Sequence, residues 1–237
     1  MLKLKINEIF NKNRKLRKMK IKYAIFDLDG TLLNTIESLI KTGNAMLNDL
    51  GYASREKSEY QQFVGYGAKN LVKSLLIASG DEKAQQLEEA YQIYMKYFED
   101  YCVYNVEPYP GILELLKNMK EKNIQLAVLT NKPHQVTGKV LDTSFDKDTF
   151  AFIQGQNSDF PRKPDPTAAL HIAKILGAEN TREVIFMGDS DADMQTAKNA
   201  NMVSVGASWG FRNKEELIAN GCEILLEKPL DLIPYLS

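Results

Sequence analysis

Short apolar runs of strand length alternate with helical periods along most of this chain, and one long stretch breaks the alternation. Residues 23–26, 125–129 and 184–187 are nearly continuous in apolar side chains, as strands are when helices cover both faces of a parallel sheet. Residues 150–153 and 202–205 are weaker runs of the same kind. Between them, Ile112, Leu115, Leu116 and Met119 recur at helical spacing, as do Ala169, Leu170, Ala173 and Leu176, a period stopped by Gly177. This pattern predicts an α/β fold with a Rossmann-like, doubly wound parallel sheet.

Residues of about 36 to 106 read as helix after helix: 36–50 ending at Gly51, 68–79 ending at Gly80, and 82–101. Pro108, Pro110 and Gly111 then close the block. The expected organisation is a basic N-terminal extension over 1–20, a core over 21–34 and 108–237, and an inserted α-helical cap over 35–107. Tyr91, Tyr94, Tyr97, Phe98 and Tyr101 run along the last of these helices at three- and four-residue steps, which predicts a packing face.

A chain of 237 residues with 44% hydrophobic side chains can bury one sizeable core and a smaller accessory unit. Its formal charge of −1 argues against a surface built to hold nucleic acid. The charge is unevenly placed, because residues 1–20 hold eight basic groups and one acid, leaving that arm at +7 and the rest at −8. Leu2, Leu4, Ile6, Ile9 and Phe10 are interleaved with those basic groups, a pattern that suits contact with an anionic membrane or RNA. Met19 leads directly into the first strand, so an upstream start of translation accounts for the arm equally well. Cys102 and Cys222 stand far apart without metal-ligand spacing, and are expected as buried small hydrophobes. No apolar run approaches the roughly 18 residues of a membrane span, nor does the arm have the form of a secretory signal. A cytoplasmic enzyme is the expectation.

The chemistry concentrates at the carboxyl ends of the predicted strands, where open α/β sheets bind ligands. The first strand ends in Asp27-Leu28-Asp29-Gly30-Thr31, two carboxylates two residues apart followed by a glycine that permits a tight turn and exposes amides to an anion. The second ends in Thr130-Asn131-Lys132, with a hydroxyl and backbone donors. Lys163-Pro164-Asp165-Pro166 sets a lysine just before a helix start. The third strand ends in Gly188-Asp189-Ser190-Asp191-Ala192-Asp193. Acids at such a junction serve as helix caps, but crowding three of them is costly unless a cation is present.

In this order and at these strand ends, the four segments resemble the motifs of the haloacid dehalogenase superfamily, over about residues 22–236. Pro108-Tyr109-Pro110-Gly111, Thr130-Asn131-Lys132-Pro133, Ser208-Trp209-Gly210-Phe211-Arg212 and Phe63-Val64-Gly65-Tyr66-Gly67 are similar to its phosphoglycolate phosphatase-like subgroup. That subgroup has Asp where this chain has Asn34, a position read here as the N-cap of the first cap helix, a role Asn fills as well as Asp.

The resemblance implies a Mg²⁺-dependent phosphatase with a C1-type helical cap. Asp27 is then the nucleophile that forms an aspartyl-phosphate, and Asp29 the general acid and base. Mg²⁺ would be held by Asp27, the Asp29 carbonyl and Asp189, with Asp193 reaching it through water. Lys163, Thr130, Gly30 and Asn131 would hold the phosphoryl oxygens. Carbon–halogen hydrolysis needs neither Asp29 nor a metal, so phosphoryl transfer is favoured. Gly188 stands where the family's sugar phosphomutases have a glutamate, which disfavours a mutase.

The implied partner is a small phosphorylated metabolite, phosphoglycolate foremost. A broad sugar-phosphate or nucleotide phosphatase, a pyrophosphatase and a noncatalytic binding protein are the alternatives. If the substrate carries a carboxylate, Lys69 beside the Gly65-Tyr66-Gly67 turn is the expected cap residue to meet it. His134 and His171 are expected to face solvent and to pack, respectively, while Trp209 belongs to a loop near the site or wedges the last strand. Either a monomer or a homodimer fits.

Overall fold

A computed structural model describes residues 20–236 of the chain. The basic arm anticipated over residues 1–20 lies outside the described residues, apart from Lys20. Six parallel strands form the main sheet: β1 (Tyr23–Phe26), β4 (Gln125–Pro133), β5 (Phe152–Gln156), β6 (Val184–Gly188), β7 (Val203–Ala207) and β8 (Ile224–Leu226). Their order is β5-β4-β1-β6-β7-β8, so the sheet grows outward in both directions from β1. Ligand sites of doubly wound sheets lie at such a switch point.

Side-chain alternation builds two cores from these strands. Ala24 and Phe26 join Leu126, Val128, Ile185 and Met187 on one face. Ile25 joins Ala127, Leu129, Val184 and Phe186 on the other. Because both faces are apolar, the strands read as unbroken hydrophobic runs. Helices α5 (Ile112–Glu121) and α6 (His134–Leu141) send apolar residues to the first face, while α7 (Thr167–Ile175) and Ala197 of α8 (Asp191–Asn199) cover the second. The short helix α9 (Lys214–Ala219) precedes the β8 edge.

The chain leaves the core and returns to it through a two-stranded antiparallel stem, β2 (Leu33–Asn34) against β3 (Glu107–Pro108). Between them lie four helices: α1 (Ile36–Asp49), α2 (Lys57–Phe63), α3 (Ala68–Ala78) and α4 (Leu87–Tyr101). Helix α4 starts later than the predicted residue 82. The Asp81 carboxylate accepts the Gln85 and Gln86 amides at 2.9 and 3.1 Å and holds a turn there instead. Helix α2 carries no apolar period, since Tyr60 is its one buried residue. The predicted N-cap also moves: Asn34 lies in β2 and Thr35 is the N-cap of α1, with Asn34 Oδ1 accepting the Ile36 amide at a long 3.5 Å.

The aromatic stripe of α4 divides. Tyr94 and Phe98 are buried, whereas Tyr97 and Tyr101 stack on each other with centroids 5.8 Å apart. Cys102 and Cys222 are both free and buried. Among the described residues no helix is long and apolar enough to cross a membrane.

Candidate active site

Three strand ends and one loop converge on a cavity between the sheet and the helical block. Asp27 follows β1, and its amide donates to the Met187 carbonyl of β6 at 2.8 Å, fixing the two strand ends together. Asp189 and Asp193 come from the turn after β6 and the first turn of α8. Each of these three buried residues offers a carboxylate oxygen within 4.8 Å of the others. Asp193 is fully buried and its carboxylate lies within the cluster. Its Oδ2 accepts the Ser190 amide at 3.0 Å and the Ser190 hydroxyl at 2.6 Å, closing a capping box that holds the helix start in place.

Lys163 is the cation of this cluster. Its Nζ lies 2.6 Å from Asp193 Oδ1 and 2.8 Å from Asp27 Oδ1. The contact to Asp27 is an ion pair without the alignment of a hydrogen bond. Burial works to lower the Lys163 pKa, but Asp193 and Asp27 outweigh it and the ammonium is held charged. Burial, then the Asp193 charge, pushes the Asp27 carboxyl up to about 7 despite the lysine. Burial, then the charges of Asp193 and Asp27, raise the Asp189 carboxyl well above its ordinary value.

Asp189 is gripped from both sides. Thr31 Oγ1 donates to its Oδ1 at 3.1 Å and the Phe211 amide donates to its Oδ2 at 2.7 Å. Room for it is made by glycine: a Cβ at Gly30, which has φ +84°, or at Gly210 would lie 2.3 Å from an Asp189 side-chain atom. Gly188 clears Asp193 in the same way, at 2.2 Å. Trp209 belongs to this loop, its indole N–H donating to the Thr31 carbonyl at 3.1 Å.

Asp29 lies one turn away and pairs through Oδ1 with Lys132 Nζ at 3.0 Å. The Lys132 side chain is 1% exposed and its ammonium stands 4.6 Å from the Phe98 ring centroid. No role was foreseen for this lysine, although a charge inside a nearly continuous buried strand is a signal in itself. Thr130 is buried beside it, with Oγ1 accepting the Lys132 amide at 3.2 Å.

The Asn131 side chain is a clamp. It donates to the carbonyls of Gly65 at 2.9 Å and Lys163 at 3.3 Å, and accepts the Lys163 amide at 3.0 Å. Arg212 donates to the carbonyls of Gln61, Gln62 and Val64, and Arg162 to that of Tyr66. Tyr66 in turn donates to Asp191 at 2.5 Å, and burial together with that carboxylate pushes its hydroxyl up to about 12. Asp191 therefore belongs to this fastening and not to the acid cluster.

Lys69 does not line the central cavity. It lines a neighbouring one with Gly67, Asn131 and Arg162, and pairs with Glu88 at 2.5 Å. The Lys69 side chain is 44% exposed. His134 opens α6 and is exposed, as expected, with its Nδ1 accepting the Gly155 amide at 3.2 Å. His171 is exposed on α7 with its ring 4.9 Å from that of Phe160.

Four carboxylates, Asp27, Asp29, Asp189 and Asp193, thus face two ammonium groups, Lys132 and Lys163. The excess of two negative charges, the elevated Asp27 and Asp189, and an all-oxygen donor set fit a hard divalent cation.

This arrangement of strand-end acids on a doubly wound sheet agrees with the comparisons to known proteins. The family model for haloacid dehalogenase-like hydrolases matches residues 24–207, and the chain belongs to that family. A phosphoglycolate phosphatase of Psychrobacter arcticus is 30% identical over 81% of this chain and 86% of its own length. One from Neisseria meningitidis serogroup A is 33% identical over 81% of this chain and 82% of its own. A crystal structure of a Lactobacillus delbrueckii subsp. bulgaricus protein, 29% identical, matches with a TM-score of 0.82 over 90% of this chain and 97% of that one.

Proposed function

We propose that this protein hydrolyses a small phosphate monoester, with phosphoglycolate the favoured substrate, through a phosphoryl group carried transiently on Asp27. The observation that carries the reading is the buried Asp27, Asp189 and Asp193 cluster with Lys163 in its midst, beside a cavity that Asp27 and Asp29 both line. The names of the relatives from P. arcticus and N. meningitidis point to phosphoglycolate.

Mg²⁺ held by Asp27, Asp189 and the Asp29 carbonyl would neutralise the charge of the acid cluster and of a bound phosphate. In the reading we favour, Asp27 attacks phosphorus and the ester oxygen departs with a proton from Asp29. Asp29 then takes a proton from the water that cleaves the acyl phosphate, releasing inorganic phosphate and restoring Asp27. Lys163 offsets charge on the phosphoryl oxygens, while Thr130 and the amides around Gly30 and Asn131 donate to them. Asn131 also keeps Lys163 in register through its two contacts to that residue's backbone. The four helices over 35–107 act as the cap, which excludes water and admits only small esters. A cytoplasmic location suits such an enzyme.

Phosphate release from phosphoglycolate, sugar phosphates, nucleoside monophosphates and pyrophosphate, with and without Mg²⁺, tests the reading. Turnover that requires Mg²⁺, is highest on phosphoglycolate and disappears in Asp27→Asn is the expected result. Even turnover across the panel would replace phosphoglycolate by a broad range of esters. No turnover by the folded protein would overturn the reading.

A further inference from the structure

The site contains two polar groups that the chemistry at Asp27 leaves unused. Lys132 has three N–H donors, and Asp29 is the single hydrogen-bond acceptor they meet among the described residues. Tyr94, from helix α4, is fully buried, and its hydroxyl has no hydrogen-bond partner. A buried hydroxyl without a partner is costly, so it calls for a ligand that this cavity can supply. Both residues line the same cavity as Asp27 and Asp29. Around them the wall is apolar, formed by Leu39, Val64, Leu71 and Phe98.

The other cation lining this cavity among the described residues is Arg212. Its guanidinium is occupied by the carbonyls of Gln61, Gln62 and Val64 and by Glu216. Lys163 is committed to Asp27 and Asp193, and Lys69, which is not in this lining, pairs with Glu88. That leaves Lys132 as the ammonium with donors to spare, in an apolar surrounding where a charge-assisted bond is strong.

We propose that Lys132 and Tyr94 form the leaving-group subsite, which receives a carboxylate on the alcohol portion of the substrate. This rests on the phosphatase reading above and names the residues that give it specificity. The pair spans the two parts of the molecule: Lys132 comes from the end of β4 and Tyr94 from the helical block. A carboxylate has enough lone pairs to accept from both while the apolar wall surrounds its short carbon chain. An ester whose alcohol portion carries no acceptor would leave Tyr94 unpaired and the spare Lys132 donors unused.

Matched substrates test this: phosphoglycolate against ethyl phosphate, its two-carbon counterpart without the carboxylate. The quantity read is the ratio of the two kcat/KM values in wild type, Tyr94→Phe, Lys132→Met and Lys132→Arg. In Lys132→Met the preference for phosphoglycolate falls by about tenfold or more, mainly through KM, and Lys132→Arg keeps part of it. In Tyr94→Phe the preference falls about three- to tenfold while the melting temperature is unchanged or higher, since an unpaired buried hydroxyl has been removed. Parallel losses on both esters in the lysine variants, with no change of ratio in folded Tyr94→Phe, would overturn the subsite and leave the phosphatase reading intact. A wild-type enzyme that hydrolyses both esters equally well would overturn phosphoglycolate as substrate, and the subsite with it.

Discussion

Asp189 is held through both oxygens in a space that two glycines keep open, so its surroundings tolerate little change. Gly210→Ala sets a methyl group 2.3 Å from the Asp189 Cβ. A displacement of that kind is expected to cost about 1–3 kcal/mol of stability and to remove most Mg²⁺-dependent turnover, as thermal melting and a phosphate-release assay would report. The acid cluster also dictates a pH response. The Asp27 carboxyl rises from 3.8 to about 7 on folding, so the folded state holds a proton that the unfolded chain has lost across that interval. Stability from this group is present below about pH 4 and lost as pH climbs through about 7. In the presence of EDTA the melting temperature should therefore fall over this range. Mg²⁺ should reverse the fall in wild type and not in Asp189→Asn. Much of this cluster was legible in the sequence, because Asp27 and Asp189 each follow an apolar run. The Lys132 pairing to Asp29 was not, since it depends on which strand neighbours β1.

Helices and loops carry the second level of order. The segment 61–67, the end of α2 and the turn that leads into α3, is fastened to the core by Arg212, Arg162, Asn131 and the Tyr66 to Asp191 contact. If this fastening keeps the cap over the cavity, Arg212→Met should raise KM for the small ester about fivefold or more and change kcat less, a split that steady-state kinetics reads directly. Strands buried on both faces were legible because their apolar runs are unbroken. The three-residue β8 was not, and neither was α2, whose burial rests on Tyr60 alone. The start of α4 was placed too early because propensity does not register an Asp81 side chain that takes two amides into a turn.

Across the whole molecule, the helical block and one face of the sheet share a single apolar core, in which Leu39, Met46 and Leu71 belong with Ile112, Leu126 and Ile185. A two-part chain reading does not anticipate that continuity. It predicts one cooperative transition on heating, with calorimetric and van't Hoff enthalpies in agreement, instead of separate melting of block and sheet. A lower-temperature transition for the block alone would contradict it. The chain's single tryptophan is Trp209, anchored on the Thr31 carbonyl two residues before the amide that holds Asp189. Nature has thus placed the molecule's one strong fluorophore against the wall of its most highly charged cavity. Ion uptake there alters the electric field at the indole, so the intrinsic emission of the unlabelled protein can serve as a direct optical gauge of whether the site is filled.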